Sequence, residues 1–335
     1  MKIVFFETPQ NEKEIFEKLL PKYEKVFVEE KLDNDTVKLA KGASIISVFI
    51  NSRIDEKVLL ELPTVRHIST RSTGYDHIDT TQTKAKGISV SNVPAYGSLT
   101  VAEFTFALLL NLSRKIFDAV HQIKETGDFS IQSLRGFDLN GKTLGVIGTG
   151  KIGKNVARIG KGFGMNVIVH DLYEDPNFKN ETGISYTSFN ELIRTSDVIT
   201  LHVPYTKDSH HILNRAVIEK MKKGVYIINT SRGELIETDA LIWGLNEHII
   251  AGAGLDVLEG ERDIKEEMEL MSSVGKPLAI NDYKTLLQDH ILMTMPQVIV
   301  TPHIAFYSKE AEESILKTTA ENISGYISGN PTNLV

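Results

Sequence analysis

Leu144-Gly-Val-Ile-Gly-Thr-Gly-Lys-Ile-Gly153 places Gly148, Gly150 and Gly153 on the G-x-G-x-x-G spacing of a dinucleotide-binding turn. Thr143 to Ile147 is apolar and β-prone apart from Gly145, as a strand buried on both faces should be. Downstream, Ile152, Val156, Ile159 and Phe163 recur at helical spacing, so the strand turns straight into a helix with one apolar face. In such a turn the first glycine permits the tight bend, the second lets backbone approach a pyrophosphate, and the third lets helix pack closely on strand. The helix N-terminus adds unpaired N–H groups and a positive dipole end. A second strand, Met165 to Asp171, ends in a carboxylate 18 residues after Gly153 (171 − 153). An acid there accepts hydrogen bonds from ribose hydroxyls and repels a 2′-phosphate, which points to NAD rather than NADP. The plainer alternative is a glycine-rich loop whose Asp caps a helix. Strand, turn, helix, strand and acid in register weigh against it.

The bulk numbers bound the partners. A chain of 335 residues suits two domains, and 41% hydrophobic with 24% charged residues is ordinary for a soluble globular protein. The net charge of −7, with no basic stripe, argues against nucleic acid as a partner. Cysteine is absent, which excludes a disulfide framework, a thiolate nucleophile and a cysteine metal site. The start of the chain reads as a strand followed by a charged helix rather than as a secretory signal. The longest apolar stretch, around Ala107 to Leu110, is too short to span a bilayer. The expectation is a cytoplasmic protein with no membrane partner.

Strands and helices alternate along the chain, which implies α/β architecture with mainly parallel sheets. Lys2–Phe6, Ser44–Ile50, Val65–Ser69 and Ile88–Ser91 read as strands, Glu12–Leu20 as a helix, and Gly74 and Gly87 as loop residues. Thr100-Val-Ala-Glu103 fits a capping box before a long helix from about Val101 to Lys124. That helix is apolar nearly all round, which suits an interdomain or dimer-interface helix as well as an ordinary core helix. Asp197–Val203, Val225–Thr230, Ala251–Val257 and Val298–Thr301 read as further strands of one doubly wound sheet. Ligands bind such sheets at the carboxyl ends of the strands, which directs attention to His202, Ser231, Arg232, Asp256, Glu259, Glu261 and His303.

Arg232, followed by Gly233, has the planar fork to hold a carboxylate through two parallel hydrogen bonds. The competing role is a surface salt bridge. His303 follows Val298-Ile-Val-Thr-Pro302 and is well placed for proton transfer near neutral pH. His202 also ends a strand and is its main competitor, although its position in the nucleotide half favours a cofactor-side role, shared with Ser231. His121, His248 and His290 lie in charged stretches, and His210 and His211 in a polar loop. A carboxylate beside a histidine favours the imidazolium and fixes its tautomer. Glu261 and Glu259 are both candidates, and charge patterning alone would make both part of a solvated acidic loop.

With these residues in view, the chain resembles the D-isomer-specific 2-hydroxyacid dehydrogenases, most closely their D-lactate dehydrogenase branch, over nearly its whole length. The likeness rests on Arg71-Ser-Thr-Gly-Tyr-Asp-His-Ile-Asp79, Asn92-Val-Pro-Ala-Tyr96, the run from Gly141 to Gly153, Leu201-His-Val-Pro204, Asn229-Thr-Ser-Arg-Gly233, Gly254-Leu-Asp-Val-Leu-Glu-Gly-Glu261 and Thr301-Pro-His-Ile-Ala-Phe306. The resemblance implies a catalytic set of Arg232, Glu261 and His303, and so selects Glu261 over Glu259. It places Lys151, Ile152, Asp171, Val203, Pro204, Thr230 and Asp256 against NAD. It sets the backbone around Thr73 and Gly74 against the substrate carboxylate with Arg232, and makes Tyr96 and Phe306 walls of the substrate pocket.

The resemblance further implies two Rossmann-like or flavodoxin-like domains with the active cleft between them. Residues 1–98 with 303–335 would bind substrate, and residues 99–302 would bind NAD. The implied reaction is reduction of a 2-keto acid by NADH to the D-2-hydroxy acid, pyruvate to D-lactate first, in a homodimer. No metal is expected, because arginine and imidazolium supply the positive field. A bulkier substrate such as 2-ketoisocaproate or phenylpyruvate, or an NAD-sensing role like that of a corepressor, are the alternatives. The 42 residues from Glu261 to His303 (303 − 261) are more than the compact lactate enzymes lead one to expect, and imply a helical insert around Glu266–Asp289 near the cleft mouth.

Overall fold

The computed structural model describes residues 1–261, Ile264, Glu267 and 283–335. Of the expected insert, Glu267 and residues 283–289 are described, and the rest lies outside the described residues. The chain divides into two compact units, Met1–Tyr96 with Tyr307–Val335, and Gly97–Phe306. The breaks fall after Tyr96 and Phe306 rather than after residues 98 and 302. The second break has a physical cause. Asp256 accepts hydrogen bonds from the backbone of Ile304 and Ala305, which ties the segment carrying His303 and Phe306 to the second unit.

In the first unit, β1 (Lys2–Phe5), β2 (Glu24–Phe27), β3 (Ile45–Val48), β4 (His67–Thr70) and β5 (Ser89–Ser91) form an all-parallel sheet in the order β2-β1-β3-β4-β5. Side chains alternate across a strand, so β1 feeds two cores. Ile3 and Phe5 meet Phe16 and the returning helix Lys309–Ile327 through Leu316, Ala320 and Ile323. Val4 meets Ile46, Ile68 and Val58 on the other face. β2 is absent from the sequence reading, because Glu24 and Lys25 break its apolar pattern. It is a short edge strand with no fully buried residue.

In the second unit, β6 (Thr143–Ile147), β7 (Asn166–His170), β8 (Ser185–Tyr186), β9 (Val198–Leu201), β10 (Val225–Asn229), β11 (Ile250–Leu255) and β12 (Val298–Val300) are again all parallel. Their order is β12-β11-β10-β9-β6-β7-β8. The strand order reverses between β6 and β9, the kind of switch point at which doubly wound sheets bind ligands. The glycine turn follows β6 directly and runs into the helix Lys151–Gly162.

The expected helix Val101–Lys124 is two helices. Ser98–Arg114 and Ile116–Thr126 are separated by Lys115, whose φ of 51° lies in the left-handed region and interrupts the hydrogen-bond ladder. The first begins at Ser98 behind Gly97, so Thr100 lies inside its first turn instead of capping it. Ala102, Phe106, Leu108 and Leu109 pack in the core of the second unit with Leu144, Val146 and Val156, which makes this a core helix. The second helix buries none of its residues and exposes Ile116, Phe117, Val120 and Ile123. Among the described residues, no helix is long and apolar enough to cross a membrane.

Candidate active site

The glycine turn is shaped by close backbone approach. Gly148 has φ of 96°, and a Cβ there would stand 2.5 Å from the His202 carbonyl oxygen and 2.9 Å from Val203 Cγ1. At Gly153 a Cβ would collide with the Gly148 carbonyl. Gly150, which caps the helix Lys151–Gly162, faces open space: apart from its neighbours along the chain, no described residue comes within 4 Å of its Cβ position, and no side chain caps the helix end. The amides of Lys151, Ile152 and Gly153 thus begin a helix whose mouth is clear for a diphosphate.

Asp171, just past β7, accepts hydrogen bonds from the Thr149 amide at 2.6 Å, the Thr149 hydroxyl at 2.9 Å and the Tyr173 amide at 3.0 Å. Partial burial pushes its carboxyl up, but the donors from Tyr173 and Thr149 outweigh that and hold it below the usual carboxylate range. It is therefore ionised at neutral pH beside the glycine turn. Thr149, which sequence reasoning passed over between two glycines, fixes its orientation, with Tyr186 Oη 3.0 Å from the same hydroxyl. An open glycine cradle and an oriented carboxylate at the ends of adjacent strands fit a dinucleotide with free ribose hydroxyls.

His202 and His303 separate cleanly. Burial pushes His202 down to about 3, so its ring is neutral at physiological pH. Its Nε2 lies 2.8 Å from Thr200 Oγ1, while Nδ1 is buried without a partner among the described residues. Its backbone walls the glycine turn with the Val203 side chain, and Pro204 follows, exposed. Such a histidine cannot cycle a proton near pH 7.

His303 has φ of 58°, a conformation that the surrounding backbone imposes. Its amide donates to the Asp256 carbonyl at 2.8 Å. The Asp256 carboxylate accepts from Thr301 Oγ1 at 2.6 Å, the Ile304 amide at 3.0 Å and the Ala305 amide at 2.8 Å. Burial raises this carboxyl despite those donors. Asp256 thus clamps the whole His303 segment, a task that its place at a strand end did not reveal.

Glu261 Oε1 lies 2.8 Å from His303 Nδ1, and the pair is partly buried. An ionised carboxylate only accepts, so the proton sits on Nδ1 and Nε2 is the nitrogen that exchanges protons. Phe306 presents its ring edgewise to the imidazole, with centroids 6.4 Å apart. Glu259 is committed elsewhere. It accepts from His211 Nε2 at 2.6 Å and from the Thr238 hydroxyl at 2.6 Å. The two acids that spacing could not separate therefore have different partners, and His211, placed in a polar loop by sequence, has one of them.

Arg232 lies half-buried past β10 in extended backbone, φ −139°. Asn229 shapes the turn: its Nδ2 donates to the Arg232 carbonyl at 2.8 Å and its Oδ1 accepts from the Ser231 amide at 3.0 Å. Ser231 Oγ donates to the Leu201 carbonyl, and Thr230 Oγ1 lies 3.1 Å from Thr105 Oγ1. A Cβ on Gly233 would strike the Leu258–Glu259 backbone, so the Arg232 turn packs directly on the loop that carries Glu261. In the first unit, Thr73 Oγ1 donates to the Val93 carbonyl, and the Thr73 and Gly74 carbonyls accept from Asn92 and Ser72. No hydrogen bond among the described residues engages the amides of Thr73 or Gly74. Tyr96, half-buried, ends this unit's first segment.

Residues 106–305 match the family model described as D-isomer specific 2-hydroxyacid dehydrogenase, NAD binding domain. A 2-hydroxyacid dehydrogenase homolog of Schizosaccharomyces pombe is 38% identical over 336 residues, covering 98% of this chain and 97% of that protein. The D-lactate dehydrogenase of Escherichia coli K12 is 37% identical over 344 residues, all of both chains. The crystal structure of a D-lactate dehydrogenase from Aquifex aeolicus, complexed with NAD and lactic acid, superposes with a TM-score of 0.87 at 35% identity, covering 98% of this chain and 96% of that one.

Proposed function

The chain belongs to the D-isomer-specific 2-hydroxyacid dehydrogenases, and from that premise we propose that it reduces pyruvate with NADH to D-lactate. The observation that carries this reading is the 2.8 Å pairing of His303 Nδ1 with Glu261, in the same unit as the NAD-binding turn and beside a loop packed on the Arg232 turn.

Gly148, Gly150, Lys151, Ile152 and Gly153 would hold the diphosphate of NAD, and Asp171 its ribose. His202, Val203, Pro204, Thr230 and Ser231 would line the remainder. Asp256 acts indirectly, by clamping the His303 segment. Bound NADH supplies the hydride. Arg232 orients the keto acid by pairing its planar fork with the carboxylate. The imidazolium of His303 gives its Nε2 proton to the C2 oxygen as that oxygen gains charge, and Glu261 stabilises the charged ring through Nδ1–H. The unengaged amides of Thr73 and Gly74 have the donor chemistry that a carboxylate requires, and Tyr96 and Phe306 supply apolar surface. Residues 1–96 with 307–335 would serve substrate binding and residues 97–306 cofactor binding.

A homodimer belongs to this reading. Ile116, Phe117, Val120 and Ile123 share one helix, and Phe129 and Ile131 follow, all exposed. Such a patch is what a self-complementary interface uses.

The test is NADH oxidation across a panel of 2-keto acids, with chiral analysis of the product. Pyruvate is expected to be turned over to D-lactate, faster than 2-ketoisocaproate or phenylpyruvate. His303→Asn should lose at least about a hundredfold in kcat while keeping NADH affinity. Tight NADH binding with no turnover of any keto acid would favour a sensing role instead.

A further inference from the structure

Asp289 is a buried carboxylate that the mechanism above leaves unused. It lies on the helix Tyr283–Thr294 and is 0% exposed. Its Oδ2 accepts the Gly260 amide hydrogen at 2.8 Å. Its Oδ1 is buried with no hydrogen-bond partner among the described residues. Gly260 stands between Glu259 and Glu261 and fits tightly: a Cβ there would lie 2.6 Å from Asp289 Oδ2 and 3.3 Å from Thr285 Cγ2. The loop is therefore pinned twice before it reaches His303, through the Glu259 side chain on His211 and Thr238, and through the Gly260 amide on Asp289.

A buried ionised carboxylate with one donor and one orphaned oxygen is costly. The groups that face Asp289 add to the cost. Glu259 and Glu261 are both acidic, and among the described residues His290, on the same helix, opposes them. The helix Thr238–Asn246, packed against it, contributes Asp239, which Lys284 and Gln288 engage. Burial and the two glutamates push the Asp289 carboxyl up to about 7, so it keeps its proton far more readily than an exposed carboxyl and is mostly protonated below neutral pH.

We propose that Asp289 is a positioning residue for the reaction: its carboxyl holds the Gly260 amide and so sets the reach of Glu261 to His303. The proposal rests on the His303–Glu261 reading above. It makes Asp289 neither a proton donor to substrate nor a cofactor ligand.

Three variants of the full chain test it. Asp289→Ala deletes the acceptor. Gly260→Ala displaces the acceptor from the loop side, at a glycine whose φ is not positive. Asp289→Asn keeps an acceptor for the Gly260 amide and cannot ionise. The main readout needs no turnover: NMR titration of the His303 ring, its signals assigned by their loss in His303→Asn. Both alanine variants should move the His303 midpoint to lower pH by roughly one unit as Glu261 withdraws, and Asp289→Asn should restore it. In pyruvate reduction the alanine variants should lose on the order of tenfold to a hundredfold in kcat, with KM for NADH unchanged. Folded alanine variants with the wild-type midpoint would overturn the proposal, as would an Asp289→Asn that behaves like Asp289→Ala. A wild-type enzyme that reduces no keto acid would instead refute the proposed function, and the titration would still decide the role of Asp289.

Discussion

Asp289→Asn removes one ionisation from the interior while keeping the shape of the side chain, and its effect on stability should depend on pH in a defined direction. In the folded protein burial and the neighbouring Glu259 and Glu261 raise the Asp289 carboxyl from 3.8 to about 7. In the unfolded chain it ionises near its ordinary value. Between those two values the folded state holds a proton that the unfolded state has lost, so rising pH favours unfolding. The folded-state advantage is complete below the unfolded value, falls as pH climbs, and is gone above about pH 7. A shift of about three pH units at 1.36 kcal/mol each is about 4 kcal/mol in all. About 3 kcal/mol of this falls between pH 5 and pH 8; the remainder is lost below pH 5, where the unfolded chain first gives up its proton, and the curve flattens above 7.

Asparagine stays neutral throughout, so the stability of Asp289→Asn relative to wild type should rise by that amount from pH 5 to pH 8. Urea unfolding at the two pH values measures it. Trp243, the sole tryptophan, lies in the same unit as Asp289 on the helix Thr238–Asn246, so its fluorescence follows the relevant transition. A difference between variant and wild type that stays constant across this range would refute the reasoning. It would mean that Asp289 ionises freely where it lies, with water reaching the oxygen that has no protein partner.

Glu261→Gln should shift the pH profile of pyruvate reduction to lower pH, whereas Glu259→Gln should leave the profile in place and cost about 1 to 2 kcal/mol of stability through His211 and Thr238. An unmoved profile in Glu261→Gln would remove Glu261 as the partner of His303. Asp171→Ser should raise the affinity for NADPH relative to NADH on the order of tenfold, the equivalent of about 1.4 kcal/mol of repulsion, read from binding titrations with each nucleotide. An unchanged ratio would count against a ribose-side role. Phe117→Glu combined with Val120→Glu should convert a dimer into monomers in sedimentation, and a wild-type monomer would end the dimer proposal.

Much of the fold is legible in the chain because buried parallel strands are short apolar runs closed by loop residues. β6 has the bounds that its pattern predicts, and the other foreseen strands shift by a residue or two at their ends. β2 and β8 escape the pattern for opposite reasons. Glu24 and Lys25 hide an edge strand, and Ser185–Tyr186 is too short to show a period. The break at Lys115 is invisible to periodicity, because the apolar residues continue past it and lysine is a good helix former.

The site divides in the same way. Gly148, Gly150, Gly153 and Asp171 stand close together along the chain, with strand, turn and helix between them. Spacing alone could therefore identify a dinucleotide turn and its preference for NAD. Hydrogen bonds between residues far apart in sequence are another matter. His211 lies 48 positions from Glu259 and His303 lies 42 from Glu261, yet those contacts decide which glutamate serves the histidine. Residue spacing made His202 a competitor of His303, set aside by its position and by the family resemblance, and burial, which makes the first neutral, supplies the physical reason. Local backbone chemistry is written in the order of residues. The ionisation state and partner of a side chain depend on what folding packs around it, and for Glu261, His303 and Asp289 that environment exists only in the folded unit.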